Sequence, residues 1–177
     1  YDLAGNATDY TCYVFHIKKE TSAPTILNNE PSTPPWDNHS RLHDVDFEDS
    51  GIGVKVSSYS VWTQPGMTGS EVISWTTIFD TAPLSVWSED WQINFDLLYA
   101  GTSYVSVRCS DGLGNEAVYV DVFKVFKDTI PPNAVTDLTS QVGSVAGSIG
   151  LSWTAPSDDA ISDPLNVKLK SYLVKYK

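Results

Sequence analysis

The clearest alternation in the chain sets Trp91, Ile93, Phe95 and Leu97 against Gln92, Asn94 and Asp96, the period of two that a half-buried strand requires. Ile73, Trp75, Thr77 and Phe79 share one parity, Val105, Val107 and Cys109 another, and Val118, Val120 and Val122 a third. Phe123 and Val125 then change parity, which predicts a bulge in that last strand. Turn signals separate these runs at Asp49-Ser50-Gly51, Gln64-Pro65-Gly66, Ala100-Gly101 and residues 111–115. No segment holds a capped helical period. The pattern therefore predicts an all-β chain, with one two-sheet antiparallel sandwich whose core takes Val105, Val107, Trp91, Ile93, Phe95 and Val120.

An internal repeat organises these elements. Asp2-Leu3-Ala4-Gly5-Asn6 recurs as Asp111-Gly112-Leu113-Gly114-Asn115, and each copy precedes a strand-like stretch, Tyr10 to Ile17 and Val118 to Phe126. Glu20-Thr21 then answers to Asp128-Thr129, followed by Pro24 in one copy and Pro131-Pro132 in the other. This spacing predicts three parts: the last strand of a preceding module over residues 1–23, one complete module over 24–131, and the opening of another over 132–177.

Length and composition allow such a core. The chain has 177 residues, of which 41% are hydrophobic and 12% aromatic, enough to exclude a disordered segment. Its net charge of -11 argues against nucleic acid or an anionic membrane as partner, because phosphate binding needs clustered Lys and Arg. No apolar run is long enough to insert across a membrane as a helix. Acidity concentrates in residues 24–132, with fifteen acids against five bases. Acids on β proteins usually keep edges from pairing, but gathered in loops they also suit calcium.

Catalytic signatures are missing: there is no Gly-x-Ser-x-Gly, no phosphate-cradling glycine loop and no cysteine pair at zinc spacing. Cys12 and Cys109 fall in different modules, which argues against a disulfide, and Cys109 reads as a small buried thiol. His39 and His43 follow Pro34, Pro35 and Trp36, so they read as a solvated loop entering a strand, without a ligand role. The sequons at Asn6 and Asn38 carry little weight outside a eukaryotic secretory protein.

At these residues the central module resembles a bacterial immunoglobulin-like repeat of the kind strung along surface proteins. Asp49-Ser50-Gly51-Ile52-Gly53-Val54 resembles the turn between strands B and C, before a strand ending at Tyr59. Tyr104 to Asp111 with Gly114-Asn115 resembles strand F and its hairpin turn, Tyr104 taking the tyrosine-corner position. Asp128-Thr129-Ile130-Pro131-Pro132 resembles the linker that closes each repeat. From Pro132 onward the chain is similar to the first half of a fibronectin type III module: Val135 to Leu138 as strand A, Ile149 to Pro156 with its core Trp153 as strand B, and Lys170 to Tyr176 as strand C. The fold class implied is an all-β, immunoglobulin-like antiparallel β-sandwich flanked by partial β-sandwich modules, cut as a window from a longer protein.

The resemblance implies that the B–C and F–G turns share one pole with the incoming linker. Glu20, Glu48, Asp49, Asp111 and Asn115 would then ring one calcium ion, unless Asp111 and Asn115 serve only their own turn backbone. Five of the six Trp lie in this module; Trp75 and Trp91 read as core, whereas Trp36 and Trp62 are the candidates for a glycan-stacking platform. The leading expectation is a non-catalytic spacer or adhesive-stalk segment of an extracellular or cell-surface bacterial protein. Its partners would be neighbouring modules of the same chain, with glycans or other surface proteins beyond them. The alternatives are an accessory module of a secreted polysaccharide-degrading enzyme, and a complete chain whose first strand completes a neighbour's open sheet.

Overall fold

The computed structural model describes residues 3–6, 17–157 and 171–175. The chain is all-β: among the described residues the one helical element is a 3-10 turn at Phe95–Leu97. Among the described residues no helix is long and apolar enough to cross a membrane. The strands are β1 (Thr25–Asn28), β2 (Trp36–Asp37), β3 (Leu42–His43), β4 (Val45–Glu48), β5 (Val54–Gln64), β6 (Thr68–Leu84), β7 (Val86–Trp87), β8 (Trp91–Gln92), β9 (Gly101–Asp111), β10 (Glu116–Lys127), β11 (Thr139–Val142) and β12 (Ile149–Ser152).

The first ten build a sandwich of two layers. One layer is β1-β4-β7, prolonged in the same antiparallel register by the β3-β8 pair, where His43 faces Trp91. The other is β2-β10-β9-β5-β6, antiparallel except where Trp36 and Asp37 run parallel to Phe126 and Lys127 at the end of β10. Val45 and Phe47 from the first layer meet Val54, Val61, Val105, Val107 and Val125 from the second. Aromatic rings span the gap: Phe47 lies 5.3 Å edge-on from Phe79, Trp87 stacks on Phe79 at 4.5 Å, and Tyr59 and Trp91 approach to 5.2 Å. This burial of apolar area is what holds the two sheets together.

Of the six expected core side chains, Val105, Val107, Trp91, Ile93 and Phe95 are buried, but Val120 is 47% exposed. The bulge explains the exposure of Val120. The β9-β10 register shifts between Tyr119 and Phe123, and Asp121 there adopts a left-handed φ of 54°. Its backbone N–H donates to Ser106 Oγ, and its Oδ2 accepts the Gly66 N–H of the β5-β6 turn at 2.6 Å. The insertion turns Val118 and Val120 outward and Phe123 and Val125 inward.

The run from Trp91 to Leu97 is not a strand. Only Trp91–Gln92 is extended; the 3-10 turn follows, burying Phe95 and Leu98 three residues apart while Leu97 is 54% exposed. Lys127 Nζ donates to the Phe95 and Leu98 carbonyls at 2.9 Å each, giving those acceptors a partner. β5 continues past Tyr59 to Gln64, and the buried Tyr59 hydroxyl accepts the Asn94 N–H. Tyr104, the expected corner residue, lies half-buried beneath Lys124, whose ammonium is 5.5 Å from the ring. Trp75 is half-buried rather than core, with the Arg108 guanidinium 4.7 Å over its ring.

Beyond the sandwich, β11 and β12 form a two-stranded hairpin, and Trp153 meets Tyr172 edge-on at 5.2 Å. The first of these strands is Thr139–Val142, four residues later than Val135 to Leu138, and residues 171–175 are not extended as a strand. Cys12 and the stretch Tyr10 to His16 lie outside the described residues.

Candidate functional site

Two poles of the sandwich carry the side chains of interest. The upper pole is where β5 begins and β9 ends, since Val54 faces Asp111 across the ladder. Its two turns are each organised by one buried aspartate. Asp49 Oδ1 accepts the Gly51 N–H and Oδ2 the Gly53 N–H at 2.6 Å, while Asp111 Oδ1 accepts the Leu113 and Asn115 N–H groups and Oδ2 the Asn115 side-chain amide. The Gly112 N–H donates to the Gly53 carbonyl and ties the turns together. Burial pushes the Asp111 carboxyl upward, but the bonds from Asn115, Leu113 and Gly114 outweigh it and hold it below the usual carboxylate range. Gly53 is a position only glycine suits: φ is 95°, and an added Cβ would stand 2.8 Å from the Leu84 carbonyl oxygen.

Glu20 arrives at this pole from the incoming segment. One oxygen caps its own Thr21 and Ser22 N–H groups, and the carboxylate lies over Gly51 where a Cβ would collide with it. Glu48 is exposed at the end of β4, opposite Thr25 and Val86. Glu20 Oε1, both Asp49 oxygens and Asp111 Oδ1 thus accept backbone N–H groups, and Asp111 Oδ2 accepts the Asn115 amide. Among the described residues no three acids, histidines or cysteines gather as a metal site. Cys109 lies beneath, its thiol pushed up to about 12 by burial and by the charges of Asp49, Asp111 and Glu116, so it is an inert core group.

The lower pole is where β10 ends, with Lys127 facing Gly101 at the start of β9. Here Trp36 lies against Phe126 with ring centroids 5.3 Å apart, and the Asp128 N–H donates to the Asp37 carbonyl. Trp36, Asp37 and Asn38 on one side and residues 128–132 on the other enclose an open cleft of about 670 Å³. That volume falls within the roughly 300–1,000 Å³ of small-molecule sites. Trp62, the other expected platform, is half-buried and donates its indole N–H to Ser60 Oγ at 3.2 Å.

Behind the cleft runs an ionic network that the sequence did not disclose. Arg41 Nη2 bonds Glu30 Oε2 at 2.6 Å and Arg41 Nε bonds Asp37 Oδ2 at 2.9 Å. Glu30 Oε1 also accepts the Asp44 N–H and stands 3.4 Å from His43 Nδ1, too poorly aligned for a hydrogen bond. His43 is 3% exposed and stacked on Phe123 at 4.7 Å, so the expected solvated loop is instead a buried strand position. Desolvation lowers its imidazole to about 4 against the opposing pull of Glu30, so the ring is neutral at physiological pH. His39 remains exposed.

No protein-family profile, no curated protein and no solved structure matches the chain.

Proposed function

We propose that residues 24–131 act as a non-catalytic spacer module of a longer extracellular or cell-surface bacterial protein, in the manner of tandem immunoglobulin-like repeats. The observation that carries this reading is the placement of the two chain ends of the sandwich. The chain comes in at the upper pole, where Glu20 lies over Gly51 and Thr25 faces Glu48, and leaves at the lower pole, where Lys127 faces Gly101. Between the poles runs β9, whose eleven residues at roughly 3.4 Å each give a rise of ~35 Å. A module entered at one end and left at the other adds its length to a string, whereas one with both ends at one pole adds a side branch.

The ends are also tied down, which a stiff spacer requires. Pro24 is buried next to β1, and the Asp128 N–H is held by Asp37. Asp128 Oδ1 accepts the Ile130 N–H just before the two prolines, fixing the start of the outgoing segment. The β2 pairing on the end of β10 and the five-stranded second layer further favour the immunoglobulin-like reading.

A module exchange in the intact protein tests this. Replacing residues 24–131 by an unrelated sandwich of equal length should preserve the reach of the protein, and deleting them should shorten it by about one module. Reach unchanged on deletion, or lost on exchange at equal length, would overturn the spacer reading.

A further inference from the structure

We propose that the cleft at the lower pole binds a neutral pyranose chain, with Trp36 as the stacking plate. The inference is independent of the spacer reading. Phe126 backs the indole of Trp36, leaving a fixed aromatic surface at the wall of the cleft. Such a surface matches the C–H face of an equatorial pyranose. Around it stand polar groups not engaged by the described residues. The Asn38 side-chain nitrogen and the Thr129 hydroxyl make no hydrogen bond there, and of the Asp128 carboxylate only Oδ1 is used. A donor amide, a hydroxyl and a carboxylate oxygen beside one ring suit a ligand whose hydroxyls both give and accept hydrogen bonds.

Charge narrows the class. Among the described residues no Lys or Arg lines the cleft, while Asp37 and Asp128 do, so an anionic sugar would be repelled. A cation is disfavoured for a different reason. The Asp37 carboxylate is already paired with Arg41, and a single indole does not make the several-sided cage that quaternary ammonium groups occupy. The lining residues Asn38, Thr129 and Pro131 are exposed, so the cleft is a groove for one stretch of a longer chain rather than a closed pocket.

Calorimetric titration of the 177-residue chain with cellohexaose, mannohexaose and chitohexaose decides the matter, with hexagalacturonate and choline as charged controls. At least one neutral hexasaccharide should bind, Trp36→Ala should weaken it by about tenfold or more, and Trp62→Ala should leave it unchanged. Asn38→Ala and Thr129→Ala, both at exposed positions that do not support the core, should weaken it without lowering the melting temperature. Absence of heat with all three neutral sugars overturns the proposal, as does binding unchanged in Trp36→Ala. Preferential binding of choline would replace the sugar by a cation. None of these results depends on whether the module can be exchanged for another spacer.

Discussion

The central sandwich and the β11-β12 hairpin are written in the same alternating code, yet only one of them has an interior. Val105 and Val107 on β9 are fully buried, whereas Ile149 and Leu151 on β12 are exposed. Both regions also use an aspartate to hold backbone: Asp111 in a buried turn, and Asp137, which accepts the Thr154 N–H at 3.0 Å in the open. Bonds from Thr154 lower the Asp137 carboxyl as those of Asn115 and its neighbours lower Asp111, but solvent already satisfies an exposed carboxylate. The difference is the facing layer. β9 has ladders on both sides and a second sheet across the core; β12 has one ladder and no sheet opposite among the described residues. Alternation thus reports that a strand has one apolar face, and a second layer is needed to turn that face into stability.

Removing a ring from between the layers is the strongest way to test this contrast. Phe47 is completely buried and touches both Phe79 and Trp87. Phe47→Ala should cost about 4 kcal/mol, the transfer of the ring plus the cavity left behind. Urea unfolding followed by tryptophan fluorescence reads the loss. A cost under about 1 kcal/mol would mean that the two sheets are not held by the aromatic layer between them.

Acid sharpens the contrast, because the sandwich hides a titrating group. In the unfolded chain the His43 imidazole takes up a proton below about 6.5, and in the folded chain only below about 4. Between those values the unfolded state binds more protons, so stability falls as pH is lowered through the window. The full loss by pH 4 is about 3 kcal/mol, set by the shift and opposed by Glu30, with Arg41 and Asp37 as the other charges facing the ring. Urea midpoints at pH 7, 5.5 and 4.5 should fall steadily, and His43→Phe, which keeps a ring against Phe123, should flatten the slope. An unchanged slope in that variant would assign the acid sensitivity to the carboxylates instead.

What the sequence made legible follows from how local each feature is. The turns at Asp49 and residues 111–115 were readable because an aspartate and the glycines beside it solve the turn within five residues. The bulge in β10 was readable from the change of parity at Phe123, but its consequence for Val120 was not, because Asp121 settles it by bonding Gly66 of a different hairpin. The 3-10 turn hid inside a period-two pattern since Phe95 fits both periods, and the partner of its Phe95 carbonyl, the Lys127 ammonium, comes from the far end of β10. The burial of His43 is hidden from the sequence for the same reason. Its burial depends on Trp91 and Glu30, neither adjacent in sequence. Trp36 was legible as an unusual position after two prolines, but not the cleft, whose far wall is residues 128–132.

The smallest effect belongs to the hairpin itself. Leu151 is 42% exposed and lines a shallow groove with Leu138, Trp153 and Tyr172. Truncating a side chain that keeps its water contact forfeits little transfer energy and opens no closed cavity, so Leu151→Ala should change unfolding stability by less than about 0.5 kcal/mol. Hydrogen exchange gives the matching readout in the unmodified chain. The amides of β9, bonded on both sides, should open only with global unfolding, while those of β12, with one partner strand and no cover, should exchange through local opening at a small fraction of that cost. Protection of β12 equal to that of β9 would mean that its apolar face is covered in solution, and Leu151→Ala would then remove that protection. Matched low protection in the unmodified chain and in Leu151→Ala would leave the hairpin as a strand pair whose alternation has found no layer to bury against.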